Sequence, residues 1–181
     1  MKKDLGREDL NMRTAFITGA TPGMGKATAE VFAKQGYRLI ICGRRKDVLE
    51  ETKKSLESFT EVLSLNFDVR NRIEVENAIN SLPESWKTID VLINNAGNAH
   101  GLEPISEGNC DDWDAMMDGN VKGLLYVSQP IIKLMKAQNH GHIVNISSVA
   151  ARQTYANAVL YGASKRTVDV ISEGMRLELT E

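Results

Sequence analysis

Short apolar runs alternate along the chain with longer stretches whose apolar positions recur at helical spacing, and Gly, Pro, Asn or Asp stand between them. Thr14-Ala15-Phe16-Ile17 predicts a buried strand, followed by a glycine-rich stretch from Gly19 to Gly25 and a helix from Lys26 to Gln35 that Gly36 closes. Arg38 to Cys42 reads as a second strand, Asp47 to Ser58 as a helix, and Val62 to Val69 as a third strand. Arg72 to Leu82 reads as a helix that Pro83 ends. Ile89 to Ile93 gives a fourth strand. A long helix capped by Asn109 or Asp111 runs to about Gln138; Pro130 should kink it, and Asn139 and Gly141 should stop it. His142 to Ile146 is a fifth strand, and from about Ala158 a last helix places Tyr161, Lys165, Val168, Ile171 and Met175 at helical spacing. Alternation of this kind, with no linker or repeat, predicts one α/β domain built on a parallel sheet with helical crossovers.

Composition narrows the partners. The 181 residues are 42% hydrophobic and 25% charged, as expected of an ordinary folded domain. A net charge of -2 without blocks of like charge argues against nucleic acid or a membrane surface and for a small-molecule substrate. Cys42 and Cys110 cannot build a multi-bridge framework, and neither they nor His100, His140 and His142 cluster at metal-ligand spacing. No metal is expected, and a reducing, cytoplasmic setting is. No apolar run reaches the roughly 18 residues of a membrane span, and no apolar segment follows the basic start.

Thr18-Gly19-Ala20-Thr21-Pro22-Gly23-Met24-Gly25 lies between a strand and a helix, the context in which a glycine loop lets backbone N–H groups and a helix N-terminus approach a phosphate. The alternative is a glycine turn without a ligand. The spacing G-x-x-x-G-x-G matches neither the G-x-G-x-x-G fingerprint nor the G-x-x-x-x-G-K-[ST] loop. Taken with Asn94-Asn95-Ala96-Gly97 after strand four and Tyr161-Gly162-Ala163-Ser164-Lys165 in the last helix, it resembles the short-chain dehydrogenase/reductase family over residues 12 to 181.

That resemblance implies a Rossmann-like, doubly wound parallel sheet of strand order 3-2-1-4-5, and a nicotinamide dinucleotide held by Gly19, Thr21, Gly23, Met24 and Gly25. It further implies that Asp68 and Val69 contact the adenine, that Asn95 lies near the cofactor, and that Asn94 is more structural. Strand two ends Cys42-Gly43-Arg44-Arg45 with no acid before Asp47. A carboxylate there would accept from a ribose 2′-hydroxyl, whereas paired guanidiniums suit a 2′-phosphate, so the expected cofactor is NADP(H). Solvated loop charges are the competing reading of Arg44 and Arg45.

Tyr161 and Lys165 are four apart on one helix face, a spacing that in isolation usually marks a surface pair. An ammonium one turn from a tyrosine favours its phenolate; moving a pKa near 10 down by about 3 units takes roughly 4 kcal/mol. By resemblance, Tyr161 is the general acid and base, Lys165 also holds the nicotinamide ribose, and Asn120 binds a water leading to the lysine. Ser148, thirteen residues before Tyr161, is expected to hold the substrate oxygen. Its neighbour Ser147 is the competing candidate, with a cofactor-side role.

Trp86-Lys87-Thr88-Ile89-Asp90, Gly101-Leu102-Glu103-Pro104 and Asn139-His140-Gly141-His142-Ile143 resemble the branch of bacterial NADP-dependent 3-hydroxy acid dehydrogenases acting on serine and allo-threonine. Arg152 is a candidate carboxylate anchor and His100 a candidate pocket residue, although a loop arginine is more often solvated. A ketone or 3-oxoacyl reductase, a binder of NADP(H) without turnover, and an epimerase or dehydratase of the extended branch are the other readings. The last usually carries G-x-x-G-x-x-G. The long helix and the Tyr161 helix are expected to form a homodimer or homotetramer interface. Family members are longer. Residues 1 to 181 are therefore expected to form a C-terminally incomplete NADP-binding catalytic domain lacking the family's last two strands, with residues 1 to 11 as an N-terminal extension. The final helix also carries acids and no Gly or Pro terminator at its end.

Overall fold

The computed structural model describes residues 12–180; the expected extension over residues 1–11, and Glu181, lie outside the described residues. Five parallel strands form one sheet in the order β3-β2-β1-β4-β5: β1 Thr14–Thr18, β2 Arg38–Gly43, β3 Val62–Asn66, β4 Val91–Asn94 and β5 His142–Asn145. Helices α1 (Gly23–Lys34), α2 (Lys46–Leu56), α3 (Arg72–Asn80), α4 (Cys110–Met117), α5 (Gly123–Gln138) and α6 (Val159–Leu179) cross between and flank them. This is the doubly wound order expected from the sequence.

The layering follows from side-chain alternation on strands buried on both faces. On β1 and β2, Ala15, Ile17, Leu39 and Ile41 face one way and pack with Ala29, Ala33, Leu49 and Leu56 of α1 and α2. Phe16, Ile40 and Cys42 face the other way and pack with Val75 and Ile79 of α3 and with Val127, Ile131 and Met135 of α5. Both faces of β1 are fully buried, which is why its sequence is a continuous apolar run rather than an alternating one.

Several boundaries differ from the sequence reading by a few residues, and three differences bear on the site. Strand β3 stops at Asn66, short of Val69, because Asp68 begins a turn in which its carbonyl accepts from the Asn71 N–H and its carboxylate from the Arg70 N–H. Asn71 then caps α3, its side chain accepting from Ile73 and Glu74. Helix α1 begins at Gly23, so the second half of the glycine stretch is its first turn. The long helix changes repeat: α4 runs through a π-helical segment, Asp118–Lys122, into α5. Pro130 lies inside α5. No helix among the described residues is long and apolar enough to cross a membrane.

Strands ending in register, Thr18 opposite Cys42, Gly43 opposite Asn66 and Asn94 opposite Asn145, bring their following loops to one sheet edge. Parallel sheets bind ligands at that edge, where connections turn away on opposite faces.

Candidate functional site

The glycine loop is built against the exit of β4. Thr18 Oγ1 accepts from the N–H groups of Asn95 and Ala96 at 3.0 and 2.9 Å, while Asn95 Nδ2 donates to the carbonyls of Thr18 and Gly19, both at 3.0 Å. A Cβ on Gly25 would run into the Gly19 carbonyl and the Asn95 amide, so this close approach requires glycine. No side chain caps the first turn of α1, which leaves its N–H groups free for an anion. Asn95 thus braces the loop. Asn94 is buried and donates instead to Ser128 Oγ and Asn145 Oδ1, tying β4 to α5 and β5.

A cleft of about 310 Å³ opens beside this loop. Gly19, Thr21 and Met24 line one wall, Arg44 and Arg45 the end of β2, and Asp68, Val69 and Arg70 the end of β3. Gly97, Asn98 and Gly119 close its floor. Among the described residues, three guanidiniums against a single carboxylate give the lining a positive balance, which together with the uncapped helix fits a ligand carrying several phosphates. Arg70 is a member that sequence reasoning missed; an arginine two residues after the turn-forming Asp68 was the available signal. Its guanidinium makes three contacts to the Asp68 carboxylate, the shortest 2.7 Å, whereas Arg44 stands 3.8 Å away. Burial would raise the Asp68 carboxyl; Arg70's hydrogen bonds and charge, with weaker help from Arg44, outweigh it and hold the group below the ordinary carboxylate value.

The second half of the site forms where α6 crosses the exit of β5. Ser148 ends the extended segment after β5; its Oγ accepts from the Ala150 N–H at 3.2 Å, which leaves its own proton free to donate. Ser147 Oγ donates to the Lys165 carbonyl at 3.3 Å, so its hydroxyl is spent on holding α6. A Cβ on Gly162 would sit 2.9 Å from the Ala150 carbonyl; without one, the turn bearing Tyr161 seats directly on the turn bearing Ser148. Lys165 is only 6% exposed, and its Nζ donates to the Ile146 carbonyl at 2.8 Å. Burial pushes the Lys165 ammonium below its ordinary pKa.

Asn120 completes the floor from the π-helical segment, a kind of irregularity frequent at functional sites. Its Oδ1 accepts from Asn98 N–H and its Nδ2 donates to Asn98 C=O, both at 2.8 Å, and Nδ2 also donates to Ser164 Oγ at 3.0 Å. A Cβ on Gly97 would lie 2.9 Å from Asn120 Oδ1 and 3.4 Å from Lys165 Nζ, so those two groups converge beneath this glycine. The Asn98 side-chain Oδ1 is buried in the same floor with no partner among the described residues.

Tyr161 opens onto a separate cavity of about 160 Å³, whose wall includes Leu102, Ile105, Trp113, Met116 and Val159. Asn157, held at φ 64°, sits at its rim. Arg152 is exposed, follows the short 3-10 turn Val149–Ala151, and makes no ion pair among the described residues; His100 is also exposed. Neither lines this cavity or the larger cleft.

Comparison with known proteins shows the family and the fold. A family model for the short chain dehydrogenases matches residues 13–181. The chain is 42% identical over 164 residues to the NADP-dependent 3-hydroxy acid dehydrogenase YdfG of Escherichia coli strain K12, covering 91% of this chain and 65% of that protein. It is 41% identical over 166 residues to a probable NADP-dependent dehydrogenase of Haemophilus influenzae, covering 92% and 65%. Among solved structures, the closed form of a serine dehydrogenase complexed with NADP+ superposes with a TM-score of 0.87 at 41% identity, over 92% of this chain and 66% of that one. An NAD+-bound xylitol dehydrogenase superposes with 0.89 at 29% identity, over 92% and 65%. The chain therefore spans about 65% of the length of the curated relatives it matches. On its strand order, its paired glycine and Asn-Asn-Ala-Gly loops and this match along the chain, it belongs to the short chain dehydrogenase family.

Proposed function

We propose that these residues are the dinucleotide-binding and catalytic part of an NADP(H)-dependent dehydrogenase that interconverts a secondary alcohol and a carbonyl, with a 3-hydroxy acid such as serine or allo-threonine as substrate. The observation that carries this reading is the burial of Lys165 Nζ beside Gly97 and Asn120, one helical turn from Tyr161 and next to the Ser148 turn. A buried cation with a lowered pKa and one carbonyl partner is a costly feature for a helix to carry without a chemical use.

Each residue has a task in this reading. Gly19, Thr21, Gly23, Met24 and Gly25 accommodate the pyrophosphate against the first turn of α1, and Asn95 keeps that loop in place. Arg44 and Arg45 take the 2′-phosphate, while Asp68 and Val69 border the adenine. The names of the relatives, NADP-dependent in two cases and NADP+-complexed in a third, support that choice over NAD(H). When bound, the nicotinamide supplies or takes up the hydride. Ser148 donates its free proton to the substrate oxygen, and Tyr161 protonates that oxygen during reduction or takes its proton during oxidation. Lys165 keeps positive charge beside Tyr161, and Asn120 fixes the backbone of Asn98 next to Gly97. Arg152, exposed at the end of the turn that Ser148 opens, is the candidate anchor for a substrate carboxylate, although it lines neither the cleft nor the Tyr161 cavity.

In this reading residues 1 to 181 form one NADP-binding catalytic domain, with residues 1 to 11 as an N-terminal extension. The exposed apolar residues Leu125 on α5 and Val170 on α6 support a homo-oligomer built through these helices. The free thiols Cys42 and Cys110 support a cytoplasmic setting.

Following the absorbance of reduced nicotinamide while presenting a panel of 3-oxo acids and ketones tests the proposal. Consumption of NADPH with a 3-oxo acid is expected. Binding of NADPH without turnover on any member would leave a binding protein in its place.

A further inference from the structure

Arg70 has no task in the reaction as described, yet it makes the densest polar contact in the cleft. Its Nε donates to both Asp68 carboxylate oxygens at 3.1 and 3.0 Å, its Nη2 donates to Oδ2 at 2.7 Å, and its backbone N–H donates to Oδ1 at 3.0 Å. Arg44 Nη1 approaches the same Oδ2, but only to 3.8 Å, outside hydrogen-bond reach. The Arg44 side chain is 59% exposed and opens toward the cleft it lines. Among the described residues Asp68 is the one carboxylate lining that cleft, and it lies beside Arg44.

A carboxylate in this place works against a phosphate in two ways. It repels the ligand's charge, and it recruits the nearest guanidinium for itself. Arg70 sits on the far side of Asp68 from Arg44 in sequence, on the turn after β3, and satisfies both carboxylate oxygens without entering the β2 loop.

We propose that Arg70 is a positioning residue for cofactor choice: by occupying the Asp68 carboxylate it leaves Arg44 free to receive the ribose 2′-phosphate. This rests on the NADP(H) reading given above. Arg70 then acts through Asp68 rather than by touching the phosphate. Its loss turns Arg44 inward, and discrimination between dinucleotides with and without the 2′-phosphate falls while the glycine loop is untouched.

Calorimetric titration of the 181-residue chain with 2′,5′-ADP and with 5′-ADP reads this as a ratio of two affinities. Wild type should prefer 2′,5′-ADP. Arg70→Met should lower that preference about tenfold, mostly through weaker 2′,5′-ADP binding, and adding Asp68→Asn to Arg70→Met should restore it. Arg70→Lys, which keeps a charge but not the paired contacts, should fall between. Loss of both affinities in parallel would overturn the proposal in favour of a structural role. Failure of Asp68→Asn to restore the ratio would overturn it in favour of direct phosphate contact. A wild-type chain indifferent to the 2′-phosphate would refute the NADP(H) reading, and this inference with it, whereas a preference unchanged in Arg70→Met would refute this inference alone.

Discussion

Asn120 holds both backbone polar groups of Asn98, accepting from its N–H and donating to its carbonyl at 2.8 Å each. Because Asn120 also donates to Ser164 Oγ, one carboxamide joins the π-helical segment, the exit of β4 and α6. Replacing it with Leu strands several buried partners at once, each costing about 1–3 kcal/mol when unsatisfied. Asn120→Leu should lose about 2–4 kcal/mol in urea unfolding. Asn120→Asp, which keeps the acceptor and loses both donors, should lose less. Equal losses in the two variants would mean that packing, not hydrogen bonding, sets the contribution of this residue.

Gly25 tests the loop independently. The methyl group of Gly25→Ala would overlap the Gly19 carbonyl and the Asn95 amide, so the loop must open. Overpacking of this kind costs about 1–3 kcal/mol in stability, and NADPH affinity should drop more than tenfold as the N–H groups leave their places. Gly174→Ala, where nothing lies within 4 Å of the new methyl, is the control and should leave the affinity unchanged. Wild-type affinity in Gly25→Ala would show that the phosphate site does not depend on this close approach.

Lys165 makes a signed prediction about pH. Burial lowers its pKa in the folded chain, so between that lowered value and the ordinary lysine value the unfolded chain binds more protons than the folded one. This group's contribution to stability therefore rises with pH across that window, and it opposes folding below it. Melting curves should show Lys165→Met gaining stability relative to wild type at neutral pH and losing the alkaline rise. An unchanged pH profile would remove Lys165 as its source.

The sheet was legible because burial on both faces writes itself as continuous apolar runs, as in Ala15 to Ile17 and Leu39 to Cys42. Boundaries set by polar contacts were not. Apolar Val69 reads as part of β3, but the Asp68 turn ends the ladder at Asn66. The π-helical segment has no periodic signature in five residues, although it decides where Asn120 points. Motif spacing located Tyr161, Lys165 and Ser148. It gave no notice of Arg70, Asn98 or Ser164, whose roles arise from contacts between distant segments. Spacing favoured Ser148 over Ser147, and the two hydroxyls go to different partners: Ser147 donates to the Lys165 carbonyl, while Ser148 accepts from the Ala150 N–H.

Tyr161→Phe bears on whether Tyr161 is the proton-transferring group of an NADP(H) site. Removing one hydroxyl leaves the glycine loop, Arg44, Arg45 and Lys165 in place. NADPH affinity, measured by nucleotide fluorescence, should stay within about twofold of wild type, while turnover with the best 3-oxo acid should fall by about 10²–10⁴-fold. A Tyr161→Phe chain that turns over at the wild-type rate would contradict the account.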